Sequence, residues 1–507
     1  MRKKSIGKNY FFNLLYQIIH LIVPILVTPY IARILNDDGV GKYSFSYSVV
    51  TYFSLFASLG FSYYAQRELS KYQDDKEKQS VAFWEIIIAR LISVGISLIV
   101  FSGLLFSNLF SEDYKLLLMI LMILIFSVGF DVTFYMQANE MFDKISIINI
   151  CVMLCGTSTI FIFVKSRNDL WVYTLIQSLI ICIEYLLLWI FVPMNIHSVK
   201  VSKLHPLKHI VPSFILFLPT IAVSLYTTID RTLIGFLVKG TVDYVNENGE
   251  TIVKRIADIE NGNYEYGERL VKMSMTILTS LGVIFVPRNS KLFSEGKIEE
   301  LNNNIKTTCR IVLFLGIPLV FGIIAVSDNL IPWYLGDEYD KTALLMKILS
   351  PLVLFIGFST IFGSQYLIPT HQDKKFTISI LLGTIVNLVL NVILIPFYGS
   401  IGAAIATLIG ECLVMIMMYS FVRKNIKLKE VIFSSYKYFI SGIIMFIVTF
   451  FLSLNLESSI INTIIIILSG ILIYFIILLV LKDSFLFKIF NIFKQRLRKE
   501  GKNENNA

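Results

Sequence analysis

The feature that most constrains this chain recurs along its whole length: runs of about twenty residues carry almost no charge. A helix rises about 1.5 Å per residue, so about 20 apolar residues cross the roughly 30 Å hydrocarbon core of a bilayer. Such runs fall near 11–35, 43–65, 82–110, 116–138, 145–165, 170–193 and 210–238. Seven more follow near 269–287, 305–326, 343–367, 376–397, 401–422, 433–454 and 460–481. Composition excludes the alternative of several soluble domains. Of 507 residues 55% are hydrophobic and only 16% charged, whereas soluble chains carry about 25% charged residues. The runs lack the alternating pattern of barrel strands. The expectation is an all-α integral membrane protein of about fourteen transmembrane helices.

Basic residues then orient the spans, because Lys and Arg accumulate on the cytoplasmic side. With the N-terminus inside, the cytoplasmic connections and their flanking turns hold 30 of the 45 Lys and Arg, and the external ones hold 10. Four of those 10 fall in one long connection, as Lys239, Lys254, Arg255 and Arg269. Both termini are expected in the cytoplasm. The basic start MRKKSIGKNY leads into a full span containing Pro24 and Pro29, so no cleavable leader is expected. The five cysteines, Cys151, Cys155, Cys182, Cys309 and Cys412, all fall within spans, and none has the company a metal site needs. They read as small packing residues.

An internal repeat organises the spans. GF-x3-F-x2-Q occurs as Gly129, Phe130, Phe134 and Gln137, and again as Gly357, Phe358, Phe362 and Gln365. The two copies lie six helices apart, an even number that preserves orientation, as in parallel duplications. Pro24 and Pro29 precede Arg33, while Pro212 and Pro219 precede Asp230 and Arg231. Proline removes a backbone donor, and kinked spans at matching places in two halves point to a transport site. The expected organisation is two six-helix bundles plus two C-terminal helices. The first bundle covers 1–196, and the linker 197–209 is basic and rich in histidine. The second covers 210–424, with an exposed external loop at 239–268; the last two helices and a basic tail fill 425–507. In the tail, Leu486, Phe490, Phe493 and Leu497 share one helical face, which suits a helix lying on the inner leaflet.

Ionisable groups at membrane depth are costly and face a wet cavity or one another. The candidates are Arg33, Arg90, Asp131, Glu184, Asp230, Arg231, Arg310, Lys347 and Glu411. Arg33, Arg310 and Lys347 lie close enough to span ends to snorkel. Asp230 and Arg231 sit deep in a proline-bearing span, and adjacent helical residues project about 100° apart, so they cannot simply neutralise each other. At least one should meet another helix or a ligand. Arginines in a cavity suit an anion, since guanidinium forms forked, charge-assisted hydrogen bonds to phosphate. Asp131, Glu184 and Glu411 are either ion-coupling groups or counter-ions to the arginines. No nucleotide-binding loop, dinucleotide glycine pattern or zinc-protease motif occurs, and no cofactor beyond a coupling H⁺ or Na⁺ is expected. The net charge of +9 reads as membrane topology, not as nucleic-acid binding.

The stretch TPYIARILNDDGVGKYSFSYSVVTYFSLFASLGFSYYAQRELSK (28–71) resembles the start of bacterial polysaccharide-exporter flippases. These are members of the multidrug/oligosaccharidyl-lipid/polysaccharide superfamily, which also contains the multidrug and toxin extrusion (MATE) transporters. Further matches are IDRTLIG (229–235), YEYGERL followed by VPRNSKLF (264–293), YLGDEY (334–339) and VNLVLNVILIPFYGSIGAAIAT (386–407). Asn36 stands where the family pattern has glycine. The resemblance implies a MATE-like fold and no enzymatic activity. Its substrate would be an undecaprenyl-diphosphate-linked oligosaccharide, either a polysaccharide or a teichoic-acid-like repeat unit, moved from the inner to the outer leaflet. It implies a chain acting as a monomer in a bacterial plasma membrane, alongside glycan-assembly proteins. Arg33, Asp230 and Arg231 match family positions by motif, whereas Arg90 is added as a substrate contact on physical grounds. A cation-coupled drug antiporter of the same superfamily is the alternative, and should favour acidic and aromatic cavity groups over arginine.

Overall fold

The computed structural model describes residues 6–107, 109–192, 196–200, 202, 204–245 and 251–487. The chain begins with α1 (Ile6–Ser58), α2 (Phe61–Ser70), α3 (Lys76–Leu105), α4 (Glu112–Val128) and α5 (Thr133–Ala138). It continues through α6 (Phe142–Phe163), α7 (Leu170–Leu188) and α8 (Ile210–Leu237). An antiparallel pair, β1 (Thr241–Val245) and β2 (Thr251–Arg255), leads into α9 (Ile256–Ser294). Then come α10 (Ile298–Tyr334), α11 (Asp340–Leu349), α12 (Leu352–Phe362), α13 (Asp373–Tyr398) and α14 (Ser400–Val422). The short α15 (Leu428–Ser434) precedes α16 (Tyr436–Asn455) and α17 (Ile460–Val480). Among the described residues ten helical segments are long and apolar enough to cross a membrane, or eleven if α11 and α12 form one bent span.

Local chemistry explains the breaks. α1 changes direction at Asn36, whose φ of 57° and ψ of 177° lie in a region that glycine adopts readily and other residues rarely. The two copies of the repeated motif differ: the first is interrupted at Gly129, whereas Gly357–Phe362 of the second continue α12. After Gly129 the helix stops, and the Asp131 carboxylate restarts it as α5 by accepting from Thr133 N (2.9 Å) and Thr133 Oγ1 (2.5 Å). At Gly363–Leu367 the second copy widens into a π-turn, and Asn289 Nδ2 donates to the Gln365 carbonyl (2.9 Å). Asp75, outside the spans, caps α3 by accepting from Lys78 N (3.1 Å). Its hydrogen bond to the Lys78 side chain holds its carboxyl below the ordinary range.

The chain divides into two compact units, Met1–Glu265 with Asn387–Ala403, and Tyr266–Val386 with Ala404–Ala507. This division differs from the expected bundles at 1–196 and 210–424, because α8 and the first turns of α9 pack with α1. In the first unit one apolar cluster gathers Phe61, Phe83, Phe134, Tyr135 and Leu188. A second joins Phe45, Phe101, Tyr114, Leu121 and Ile125. In the second unit Phe314 of α10 meets Tyr438 and Tyr474, and Tyr474 donates its hydroxyl to the Phe314 carbonyl (2.8 Å). Exposed Ile461, Leu468, Leu472 and Val480 on α17 are the lipid face that a span requires.

Two expectations are corrected. The predicted external loop 239–268 is a hairpin only as far as Arg255, and from Ile256 onward it is helix. Ala257, Asp258, Asn261, Tyr264 and Glu268 are buried there, so this is not an exposed loop. Its polar residues hydrogen-bond within the protein, and an apolar-periodicity reading takes such a segment for loop. Secondly, Cys151 and Cys155 are exposed and do not pack inside the unit, whereas Cys182 and Cys309 are buried. The linker is tied to α3. Buried Glu85 of α3 accepts from His205 N (2.8 Å), pairs with Lys208 (2.7 Å) and meets His209 Nε2 (3.0 Å). Of the expected interfacial helix, only Leu486 falls among the described residues, and it is buried; Phe490, Phe493 and Leu497 lie outside them.

Gly60, with φ 70°, offers a direct test of this packing. A Cβ added there would sit 2.7 Å from the Ser213 carbonyl oxygen, in a backbone conformation already costly for an L residue. Gly60→Ala is expected to cost about 1–3 kcal/mol and lower the thermal midpoint in detergent. Gly95→Ala, with nothing within 4 Å, should leave the midpoint unchanged or slightly raised.

Candidate functional site

The polar centre of the first unit is built on two adjacent charges. α8 carries Asp230 and Arg231, and a second adjacent pair on α9, Tyr264 and Glu265, meets them in the same order. Tyr264 donates its hydroxyl to Asp230 Oδ2 (2.5 Å), and Arg231 Nε lies 2.6 Å from Glu265 Oε2. α13 supplies the other carboxylate contact, with Asn391 Nδ2 donating to Asp230 Oδ1 (2.5 Å) and approaching Asn387 Oδ1 (3.2 Å). Asp230, Asn387 and Asn391 are buried, while Arg231 keeps part of its surface open. α1 closes the group. Ser44 Oγ donates to Glu265 Oε2 (2.9 Å), Ser48 meets Thr232 (2.8 Å), and Tyr52 reaches the same threonine (3.1 Å).

Small residues let the helices approach this closely. A Cβ on Gly41 of α1 would overlap the Asp258 carbonyl, and one on Gly262 of α9 would overlap the Asp37 carbonyl. Beyond this contact Lys254 of β2 is buried, with Nζ 3.1 Å from Asp37 Oδ1 and 3.4 Å from Asp38 Oδ1. Arg167 also pairs with Asp38. Arg255 donates to the Tyr114 hydroxyl (2.5 Å), which donates in turn to Asp258. Lys254 and Arg255, expected as loop charges, are structural ion-pair and hydrogen-bond partners. Arg269, also expected in the loop, lies within α9 and stacks its guanidinium over Tyr266 at 5.5 Å.

The expected site residues separate into groups. Asp230 and Arg231 come together with partners on other helices, as the geometry of neighbouring helical residues requires. Arg33 is exposed on α1, three residues before the Asn36 break. Arg90 is fully buried and pairs with Asp131 (3.4 Å), donating to its backbone carbonyl as well. It also lies over the Phe134 ring at 4.8 Å. Arg90 therefore presents no open surface to a substrate here; it serves as the counter-ion of Asp131, one of the two readings open for that carboxylate. Glu184 is half-buried on α7, and among the described residues no hydrogen bond or ion pair reaches its carboxylate. Glu411 is buried on α14. Lys347 pairs with Asp328 (2.6 Å) near a helix end, and Arg310 is exposed. Sequence reasoning missed Ser44, Tyr264, Glu265, Asn387 and Asn391. The signal was available in the two asparagines four apart on an otherwise apolar span, where an amide is as conspicuous as a charge.

Comparison with known proteins agrees with this architecture. A family model described as polysaccharide biosynthesis protein matches residues 6–293, more than half of the chain. A putative O-antigen transporter of Escherichia coli is 24% identical over 433 residues, covering 83% of this chain and 98% of its own length. The lipid II flippase MurJ of Bacillus subtilis is 29% identical over 160 residues, covering 31% of this chain and 29% of its own. Among solved structures, a lipid II flippase MurJ in an inward closed conformation aligns with a TM-score of 0.73 at 16% identity, covering 94% of this chain and 99% of that one. An inward-facing multidrug resistance MATE family transporter of the MOP superfamily aligns at 0.56 and 12% identity, covering 80% and 98%. These structural likenesses establish the fold.

The Arg90–Asp131 pair yields a prediction. Removing one partner of a buried ion pair costs about 3–5 kcal/mol, because the other charge is left uncompensated. Arg90→Ala should lower the amount of folded protein recovered from the membrane. The double variant R90L/D131N, which keeps a capping side chain at 131 without a charge, should restore most of it. Fluorescence-detected size exclusion of the tagged protein reads both.

Proposed function

We propose that this chain, which belongs to the polysaccharide biosynthesis protein family, moves a polyprenyl-diphosphate-linked oligosaccharide from the inner to the outer leaflet by alternating access. The cargo is a polysaccharide or teichoic-acid-like repeat unit. The observation that carries the reading is Arg231, a part-open guanidinium held at membrane depth among polar side chains of α1, α8 and α9. A sugar-diphosphate head cannot cross hydrocarbon unaided, whereas its polyprenyl tail can stay in lipid throughout. A cleft needs to shelter only the head, and a few arginines bind it without preventing release. Arg33 is the second expected contact. The names of the relatives, an O-antigen transporter and a lipid II flippase, support the same class of cargo. The chain acts as a transporter and not an enzyme, in a bacterial plasma membrane.

The reading includes fourteen spans with both termini cytoplasmic. α1 contributes two, one on each side of Asn36, and α8 and α9 contribute one each. Ion coupling has two candidate places. Asp230, Asn387 and Asn391 gather a carboxylate and two amides, and among the described residues the buried Asn391 Oδ1 has no hydrogen-bond donor. With the Asn391 amide turned so that its oxygen faces Asp230, the three residues offer the oxygen ligands that suit small hard cations such as Na⁺. Glu184, a membrane-depth carboxylate, is the candidate for H⁺. The acidic groups would equally serve a cation-coupled drug antiporter, which has no use for Arg231.

Export complementation separates the two readings. R231Q/E265Q, which removes both charges of the pair together, and Arg33→Ala should each abolish glycan export while membrane levels stay within about twofold of the parent. Full complementation by both variants would remove the anionic-cargo assignment. In liposomes containing lipid-diphosphate sugars, an imposed Na⁺ gradient should accelerate transport by the parent chain. Asp230→Asn should abolish that acceleration and Glu184→Gln should leave it intact; the reverse pattern would assign coupling to H⁺ at Glu184.

A further inference from the structure

We infer that Glu265 is a built-in counter-anion that occupies Arg231 in the empty protein and is displaced by the diphosphate of the cargo. This deepens the proposed function and rests on its assignment of an anionic head group.

Three observations lead there. Both carboxylate oxygens of Asp230 accept hydrogen bonds from other helices, from Tyr264 and Asn391. A carboxylate oxygen of another helix, Glu265 Oε2, lies 2.6 Å from Arg231 Nε and also accepts from Ser44 Oγ. Unlike the fully buried Arg90, Arg231 keeps part of its side-chain surface open, while Glu265 beside it is buried, so a ligand approaches from the guanidinium side. Carboxylate and phosphate compete for the same guanidinium geometry, and a diphosphate brings more charge and more acceptor oxygens to it.

Displacement has a mechanical consequence. Glu265 Oε2 is the atom through which α1, α8 and α9 meet, by way of Ser44 and Arg231. When the diphosphate takes Arg231, the carboxylate loses its cation and the three helices lose a shared hydrogen-bonding centre. Cargo binding then loosens the α1–α8–α9 contact at its Glu265 centre, beside the close backbone approach at Gly41 and Gly262. When cargo leaves, Glu265 recaptures Arg231 and assists release. Glu265 is thus a positioning residue that sets affinity and turnover in opposite directions.

The test is binding of inorganic pyrophosphate to the full-length protein in detergent, followed by intrinsic tryptophan fluorescence, with liposome transport in parallel. Glu265→Gln keeps the hydrogen-bonding shape and removes the competing charge. It should bind pyrophosphate about tenfold more tightly than the parent chain and turn over several-fold more slowly. Glu265→Asp should return both values toward the parent. R231Q should abolish binding, and R231Q/E265Q should match R231Q alone. An E265Q protein that melts like the parent but binds no more tightly overturns the displacement while leaving the anionic cargo in place. A parent chain whose pyrophosphate binding is absent, or is unaffected by R231Q, overturns both. A Glu265→Gln variant with lower thermal stability and weaker binding identifies the pair as purely structural, and the inference fails.

Discussion

Asp230 and Arg231 stand next to each other on one helix, at a depth where hydrocarbon offers neither of them a partner. Satisfying both requires ligands on two different sides of α8, since adjacent side chains diverge by about 100°. α9 answers with its own adjacent pair, Tyr264 and Glu265, and α13 adds Asn391. Hydrogen bonds of this length need the backbones close together, which explains Gly41 and Gly262 at the contact of α1 with α9 and the serines along α1. The polar first turns of α9 are therefore a consequence of what α8 carries. The grouping of α8 and α9 with α1 follows from the same requirement.

That dependence also explains how far the sequence could be read. The apolar runs disclose the membrane-spanning elements because the bilayer imposes length and composition on each one. The motif around Gly129 and Gly357 was legible as a repeat, but the helix breaks at the first copy and runs on through Gly357–Phe362 at the second. Residues 256–268 were not legible. A helix whose surroundings are polar loses the one-sided apolar pattern by which helices are recognised. The stretch IADIENGNYEYGE, with its asparagines and glycines, carries instead the composition of an exposed turn. The same misreading hid Glu265, and with it the partner of the arginine that the sequence had singled out. Asp230 and Arg231 were found because a charge deep in a span needs no context to be conspicuous. The partners of a charge are a property of the fold.

The charges of the first unit also differ in what local structure asks of them. At the first copy of the repeated motif the helix stops after Gly129, and the freed backbone groups must be paired away from water. Asp131 accepts from Thr133 N there, and Arg90 neutralises Asp131 and takes up its backbone carbonyl as well. At the second copy the aligned residues Gly357–Phe362 continue α12, and the helix widens only beyond them, where an Asn289 amide donates to the Gln365 carbonyl. The charged pair therefore belongs to a break that the second copy lacks, and that break accounts for it without a ligand. Arg231 answers a different demand: it keeps part of its surface open and is paired to a carboxylate that also accepts from Ser44 of another helix.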